Sequence, residues 1–278
     1  MAFNSGNNNY INTLDSGNNN YINTTTQFQA NWSPYGETFN SPTGRPSDGR
    51  LISDFTARFA NLSLIPSFFE IGFDKFLHGS TLLLVLAQVI DLQTQLTHFG
   101  EVVELSVNKL GSQQSQQLLT DFVYMFSTGS NDYAFPYLTN PKKFPFLKNN
   151  FHRWYWVILL LFYRQFTNYN KGGRKFTIFT LPPEGCSPGG RAFNAQIGGF
   201  NVSIEACCRT GVFKGINSCG GKRQVKEYEL RKNVTDYVFS DASHPTEAAN
   251  QQFAQLLWNG TADVIAPHNL IFFPTLVL

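Results

Sequence analysis

The chain has 278 residues, 42% of them hydrophobic and 15% aromatic, enough apolar material for a sizeable core in one large domain or two small ones. Its 21 Lys and Arg nearly balance 19 Asp and Glu, and no basic stripe alternates with aromatics, so a nucleic-acid groove is excluded as the working expectation. The longest apolar runs, Thr81 to Ile90 and Trp154 to Tyr163, are about ten residues each, short of the roughly 20 that span a bilayer; both read as buried elements.

The first residues are the least ordinary. "SGNNNYINT" stands at Ser5 to Thr13 and again at Ser16 to Thr24, and up to about Gln29 the composition is Asn, Gly, Ser and Thr with little apolar periodicity. Residues 1–30 are therefore expected to be a low-complexity segment in loop or disorder, with a single domain over 31–278. The N-terminus has neither the basic region nor the apolar stretch of a secretory signal. Against that, Asn23, Asn31, Asn61, Asn201, Asn233 and Asn259 each open an Asn-x-Ser/Thr acceptor triplet, a density that favours a secreted glycoprotein.

From Arg50, "RLISDFTARFANLSLI" places Leu51, Ile52, Phe55, Phe59 and Leu62 at helical spacing. A second helical stretch over about Gln113 to Thr120 runs into "DFVYMFSTGSND", an aromatic-rich strand that stops in a polar loop. Trp154 to Asn168 repeats the helix. "KGG" at Lys171 to Gly173 breaks it, and "RKFTIFTLPPEGC" is a strand ended by Pro182 and Pro183. Helix, strand and polar loop in repetition predict an α/β fold with a parallel sheet. In "DASHPTEAANQQFAQLLW", Pro245 suits the first position of a C-terminal helix whose apolar stripe is Ala249, Phe253, Leu256 and Leu257.

Two places carry chemistry. Asp241 and His244, three apart in the loop entering that helix, suit a carboxylate that orients an imidazole acting as a general base. Gly129, Ser130, Asn131 and Asp132 follow the aromatic strand at the carboxyl edge of the sheet, and Asn131 could donate its amide to a developing oxyanion. The bland readings are a capping histidine and an ordinary turn. The four cysteines, Cys186, Cys207, Cys208 and Cys219, allow three disulfide pairings and fit no zinc spacing; they read as disulfide or buried thiols.

The stretches "SGNNNYINT", "YGETFNSPTGRPSDGRLISDF", "FSTGSNDY", "LPPEGCSPGGRAFN", "ACCRTGVFKGINSCGGKR" and "YVFSDASHPTEAANQQFAQLLW" occur in that order. In this the chain resembles the plant GDSL esterase/lipases of the SGNH hydrolase superfamily, from Asn31 to the C-terminal region. The resemblance implies a three-layer, flavodoxin-like α/β/α fold, usually secreted, that hydrolyses lipid or small acyl esters through a Ser-His-Asp mechanism. It implies His244 as base, Asp241 as orienting acid, and Asn131 with Gly129 at the oxyanion. No metal or organic cofactor is expected.

Departures from the pattern shape three further expectations. The family's first block reads Gly-Asp-Ser-Leu-(Phe)-Asp-x-Gly-Asn-Asn-Asn; counting back without gaps from Gly6 or Gly17 puts its serine on Met1 or Asn12, so no nucleophile is assigned and Ser5 and Ser16 are left in polar loop. "HGSTLLLVLAQVIDL" stands where a glycine-rich run with an oxyanion donor is usual, and the interval near 195–205 is short. Arg231 occupies a position that is usually Cys in relatives. The sheet is then expected to lack the nucleophile strand and one later strand, and the chain to be an inactive esterase/lipase, a non-catalytic binding or modifier protein of the same fold, or the product of a decayed gene or misassembled exons.

Overall fold

The architecture is taken from a computed structural model, which describes residues 2–5, 30–65, 81–82, 92–128, 172–179, 205–212, 219–221 and 225–272, with 160, 164, 188 and 216 as isolated positions. In chain order its elements are β1 (Ala2–Ser5), α1 (Ile52–Phe59), β2 (Thr81–Leu82), α2 (Leu92–Leu110), α3 (Ser112–Asp121), β3 (Val123–Thr128), β4 (Lys175–Ile178), β5 (Cys208–Arg209), β6 (Glu229–Leu230) and α4 (Glu247–Asn259).

Four strands make one parallel sheet in the order β2-β1-β3-β4, as a flavodoxin-like chain begins, and β5 and β6 form a separate antiparallel pair. Parallel strands require crossovers, and crossovers put helices on both faces. The alternation along β3 shows this directly. Tyr124 and Phe126 point into a cluster with Leu96, Phe99 and Val102 of α2 and Leu119 of α3. Val123 and Met125 point the other way, against Ala60, Trp258 and Leu270. Each buried aromatic or branched side chain of this kind contributes about 1.5–3 kcal/mol, so β3 is the spine of both half-cores. Tyr124, though buried, donates its hydroxyl to the Leu119 carbonyl at 2.8 Å, and burial pushes its phenol well above the ordinary range.

Four expected elements are present close to their predicted places: the helix from Arg50 as α1, the helix near Gln113 as α3, and the strands at "FVYMFST" and "KFTI" as β3 and β4. Three features differ. Where composition predicts loop, Ala2–Ser5 is a strand, paired on one side with Thr81 and Leu82 and on the other with Met125 to Thr128. Its ladder bonds come from residues far along the chain, which local composition does not register. Pro245 does not open α4. The N-cap is Thr246, whose hydroxyl oxygen accepts from the Ala249 amide at 3.2 Å, a stronger cap than any a proline supplies. Nor is the inner stripe of α4 the expected one: Ala249, Asn250, Ala254 and Trp258 are buried, whereas Phe253 and Leu256 are exposed. The face is chosen by α1, whose Ile52 and Phe55 close on Ala254.

The 19-residue α2 is an element that sequence reading left out, although Leu96, Phe99 and Val102 recur at helical spacing. The helix expected over Trp154 to Asn168 lies outside the described residues, apart from two isolated positions, as do Gly129 to Asp132 and the stretch near 195–204. Among the described residues no helix is long and apolar enough to cross a membrane.

Candidate functional site

The loop before α4 is built around one carboxylate. Asp241 Oδ1 accepts the backbone amides of Ser243 and His244, both at 2.9 Å, which folds the chain back so that the imidazole of His244 meets its own loop acid. Nδ1 of His244 lies 2.7 Å from both carboxylate oxygens. Asp241 and His244 are 2% and 5% exposed, so this pair is held out of water. An ionised carboxylate only accepts, so the Nδ1 proton sits on the imidazole and Nε2 presents its lone pair. Nε2 is buried and has no hydrogen-bond partner among the described residues. A buried polar atom without a partner is uncommon and marks a place where another group belongs.

The loop is clamped by a distant segment. Between residues 30 and 50 the chain forms a tight hairpin-like wrap, with Gly36 N donating to Ser47 O at 3.0 Å and Thr38 N to Asp48 O at 2.9 Å. Gly36 has φ of +74°, and a Cβ there would stand 2.2 Å from the Ser41 carbonyl, so glycine is required at this corner. Ser47 Oγ donates to the Pro245 carbonyl at 3.0 Å, and Asp48 Oδ1 accepts the Glu247 amide at 2.8 Å. Arg50 pairs with Glu247 at 2.7 Å, and Asn250 Nδ2 reaches the Arg50 carbonyl at 3.2 Å. Tyr35, in the same wrap, donates its hydroxyl to Asp241 Oδ2 at 2.5 Å.

A buried ion pair anchors this wrap to α1. Arg45 makes a two-pronged contact with Asp54, Nε to Oδ2 at 2.7 Å and a terminal nitrogen to Oδ1 at 2.8 Å, and also donates to the Ile65 carbonyl. Asp54 in turn accepts the Leu51 amide at the start of α1.

Asp48 adds a pH dependence. Burial raises its pKa above the ordinary carboxylate value, opposed by the Glu247 amide and raised further by the Glu247 charge. A carboxyl that binds its proton more tightly when folded contributes stability at acid pH that is lost as pH rises through its folded value. Acidification from neutrality is therefore expected to raise the stability of the native chain relative to Asp48→Asn, measured as urea midpoints of both proteins across the acid range. Parallel curves would show that Asp48 is not desolvated.

At the sheet, Ser5 is the last residue of β1 and pairs in register with Thr128, the last residue of β3. In the order β2-β1-β3-β4 the winding reverses between these two strands, and open α/β sheets bind ligands beyond the carboxyl ends at such a reversal. Asn131 and Gly129, the other expected site residues, lie outside the described residues, directly following Thr128 in the chain. Sequence reading missed Tyr35, Ser47 and Asp48; their one signal is the density of polar side chains in "YGETFNSPTGRPSDGR".

Cys208 and Cys219 form a disulfide, one of the pairings left open by sequence, and Cys207 is buried beside it. Arg231 lies at the surface near Glu205, at 3.4 Å. Among the described residues no group of three or more His, Cys, Asp or Glu is arranged to hold a metal ion.

A parallel sheet with helices on both faces and a buried Asp-His pair ahead of its last helix is an arrangement of the α/β hydrolytic class. Comparison with known proteins makes the assignment specific. The profile of the GDSL-like Lipase/Acylhydrolase family matches residues 15–257. The chain is 35% identical to GDSL esterase/lipase 1 of Arabidopsis thaliana over 337 aligned positions, covering 97% of this chain and 86% of that protein. It is 38% identical to GDSL esterase/lipase 5 of the same plant, over 96% of this chain and 83% of the relative, and 34% identical to GDSL lipase of Tanacetum cinerariifolium, over 97% and 84%. This chain belongs to the GDSL lipase/acylhydrolase family. The aligned stretches are longer than the chain itself, so the relatives carry residues within them that it lacks.

Proposed function

We propose that this chain hydrolyses carboxylic esters, with Ser5 as nucleophile, His244 as general base, Asp241 as the acid that orients it, and Asn131 with Gly129 as oxyanion donors. The observation that carries the reading is the preformed Asp241–His244 pair with Nε2 buried and without a described partner. In the proposed reaction His244 Nε2 takes the Ser5 hydroxyl proton as Oγ attacks the acyl carbon. The tetrahedral intermediate collapses to an acyl-serine, and the imidazolium returns its proton to the departing alcohol. Water then repeats both steps and releases the acid. Positioned base catalysis of this kind contributes about 10²–10⁴-fold, and one oxyanion donor about 3–4 kcal/mol. The steps call on no metal or organic cofactor.

Ser5 replaces the expectation of no nucleophile because the ungapped count assumes that every residue between the block's serine and its glycine is retained. If those residues are deleted, Phe3-Asn4-Ser5-Gly6 falls on Gly-Asp-Ser followed directly by Gly-Asn-Asn-Asn. The end of a strand at the winding reversal is where such a serine is needed. The family profile begins at Asp15, so this assignment rests on β1 and not on the profile. The test is covalent capture: a fluorophosphonate should label Ser5 with loss of fluoride, and Ser5→Ala should remove the label. Label on Ser16 instead, or none on a folded chain, would overturn it.

The second reading is a non-catalytic binding protein of the same fold, favoured by the ungapped register and by the apolar run from Thr81 to Ile90 in place of a glycine-rich one. A role in lipid metabolism outside the cell accords with the Cys208–Cys219 disulfide and with the exposed acceptor residues Asn31, Asn61, Asn233 and Asn259. The substrate class is lipid or small acyl esters.

A further inference from the structure

Asp241 receives more donors than an orienting acid requires. Its Oδ1 is fixed by two amides of its own loop, which leaves Oδ2 to be positioned by something else. That group is the Tyr35 hydroxyl, which reaches across 206 residues of sequence to donate at 2.5 Å, from a ring only 2% exposed. The corner that brings it there is the Gly36 turn, tied to Ser47, which is itself tied to Pro245 beside His244. We infer that Tyr35 is a positioning residue for the Asp241–His244 pair: by donating to Oδ2 it fixes the carboxylate plane against Nδ1 and limits the carboxylate's basicity toward the imidazole.

The physical consequence has a sign. A carboxylate that already accepts a buried O–H shares less charge with Nδ1, so the imidazolium is stabilised less than by a bare carboxylate. Removing the hydroxyl should make Asp241 the stronger base and raise the His244 pKa. Nearby ionisable groups on the packed elements are Asp48 and Glu247, held by the Glu247 amide and by Arg50. Both are unchanged by a substitution at Tyr35, so they do not enter the difference.

The inference rests on His244 acting as base in the proposed reaction, but its test does not need turnover. Tyr35→Phe keeps the ring and removes the hydroxyl. Imidazole NMR on the full chain, with His244→Ala to assign the signals and a thermal melt to establish folding, should show the His244 titration midpoint moved upward. The low-field Nδ1 proton should shift with it. Where ester turnover is present, kcat should fall roughly ten- to a hundredfold with KM held, and the acid limb of the rate profile should move to higher pH. An unchanged titration and unchanged Nδ1 proton would overturn the assignment whether or not the chain hydrolyses ester. A shifted titration in a chain without turnover would uphold Tyr35 and count against the hydrolase reading alone. Should Tyr35→Phe fail to fold, Ser47→Ala, which loosens the tie between the Tyr35 wrap and the Pro245 carbonyl and keeps glycine at the corner, is read by the same two signals.

Discussion

Asp241→Asn is expected to lower kcat for ester hydrolysis by about 10⁴, the order seen when the acid of a serine triad becomes its amide. The reason lies in which oxygen is already committed. The amides of Ser243 and His244 both donate to Oδ1, so the asparagine must present its carbonyl there and its NH₂ in the place of Oδ2. Nδ1 lies 2.7 Å from both places, but the carbonyl already accepts two amides, whereas the NH₂ has a proton to give that Nδ1 can meet only as an acceptor. The imidazole proton is driven to Nε2, and the atom that must take a proton already holds one. Tyr35 loses its acceptor in the same exchange. Single-turnover rates with a chromogenic ester measure the effect; a fall of less than tenfold would mean that Asp241 shapes the loop and does not set the tautomer.

Asp54→Ala has the largest expected effect on stability. Arg45 and Asp54 are 5% and 1% exposed, and the carboxylate receives both prongs of the guanidinium and the Leu51 amide. Removing it strands a buried cation and the first turn of α1 together, a change that costs about 3–5 kcal/mol when one partner of a buried pair is lost. Against a total of roughly 5–15 kcal/mol, that is enough to leave a substantial unfolded fraction. Replacing both partners, Arg45→Met with Asp54→Leu, should lose much less, because no charge remains unpaired. Chemical denaturation of the three proteins decides it. A single-variant loss below about 1 kcal/mol would place the pair among solvent-screened contacts.

The parts of this fold that sequence predicts are those set by nearby residues. α1, α3, β3 and β4 announce themselves through spacing or through aromatic runs bounded by breakers. The same period in α4 gives the helix but not its phase. Phe253 and Leu256 satisfy the spacing and yet face outward, because a small residue, Ala254, lets α1 approach closely on the other side. β1 was illegible for a different reason. Four residues beside an Asn-rich tract carry no strand signature of their own, and their pairing partners begin at Thr81 and Met125.

The candidate site divides in the same way. Asp241 and His244 were legible because three residues separate them and the loop closes locally. Tyr35 was not, since nothing in its neighbours points to a carboxylate 206 positions later. Counting from Gly6 placed Ser5 four residues out of register; its position at the end of β1 depends on a parallel sheet that no local rule supplies.

Hydrolysis of a short-chain chromogenic ester by the purified chain, beside His244→Ala, tests the central claim most directly. The account predicts turnover by the native sequence and its loss by a factor of 10³ or more, an order-of-magnitude expectation for removing a triad base, in the variant. Equal rates from the two proteins, with both shown to be folded, would contradict it.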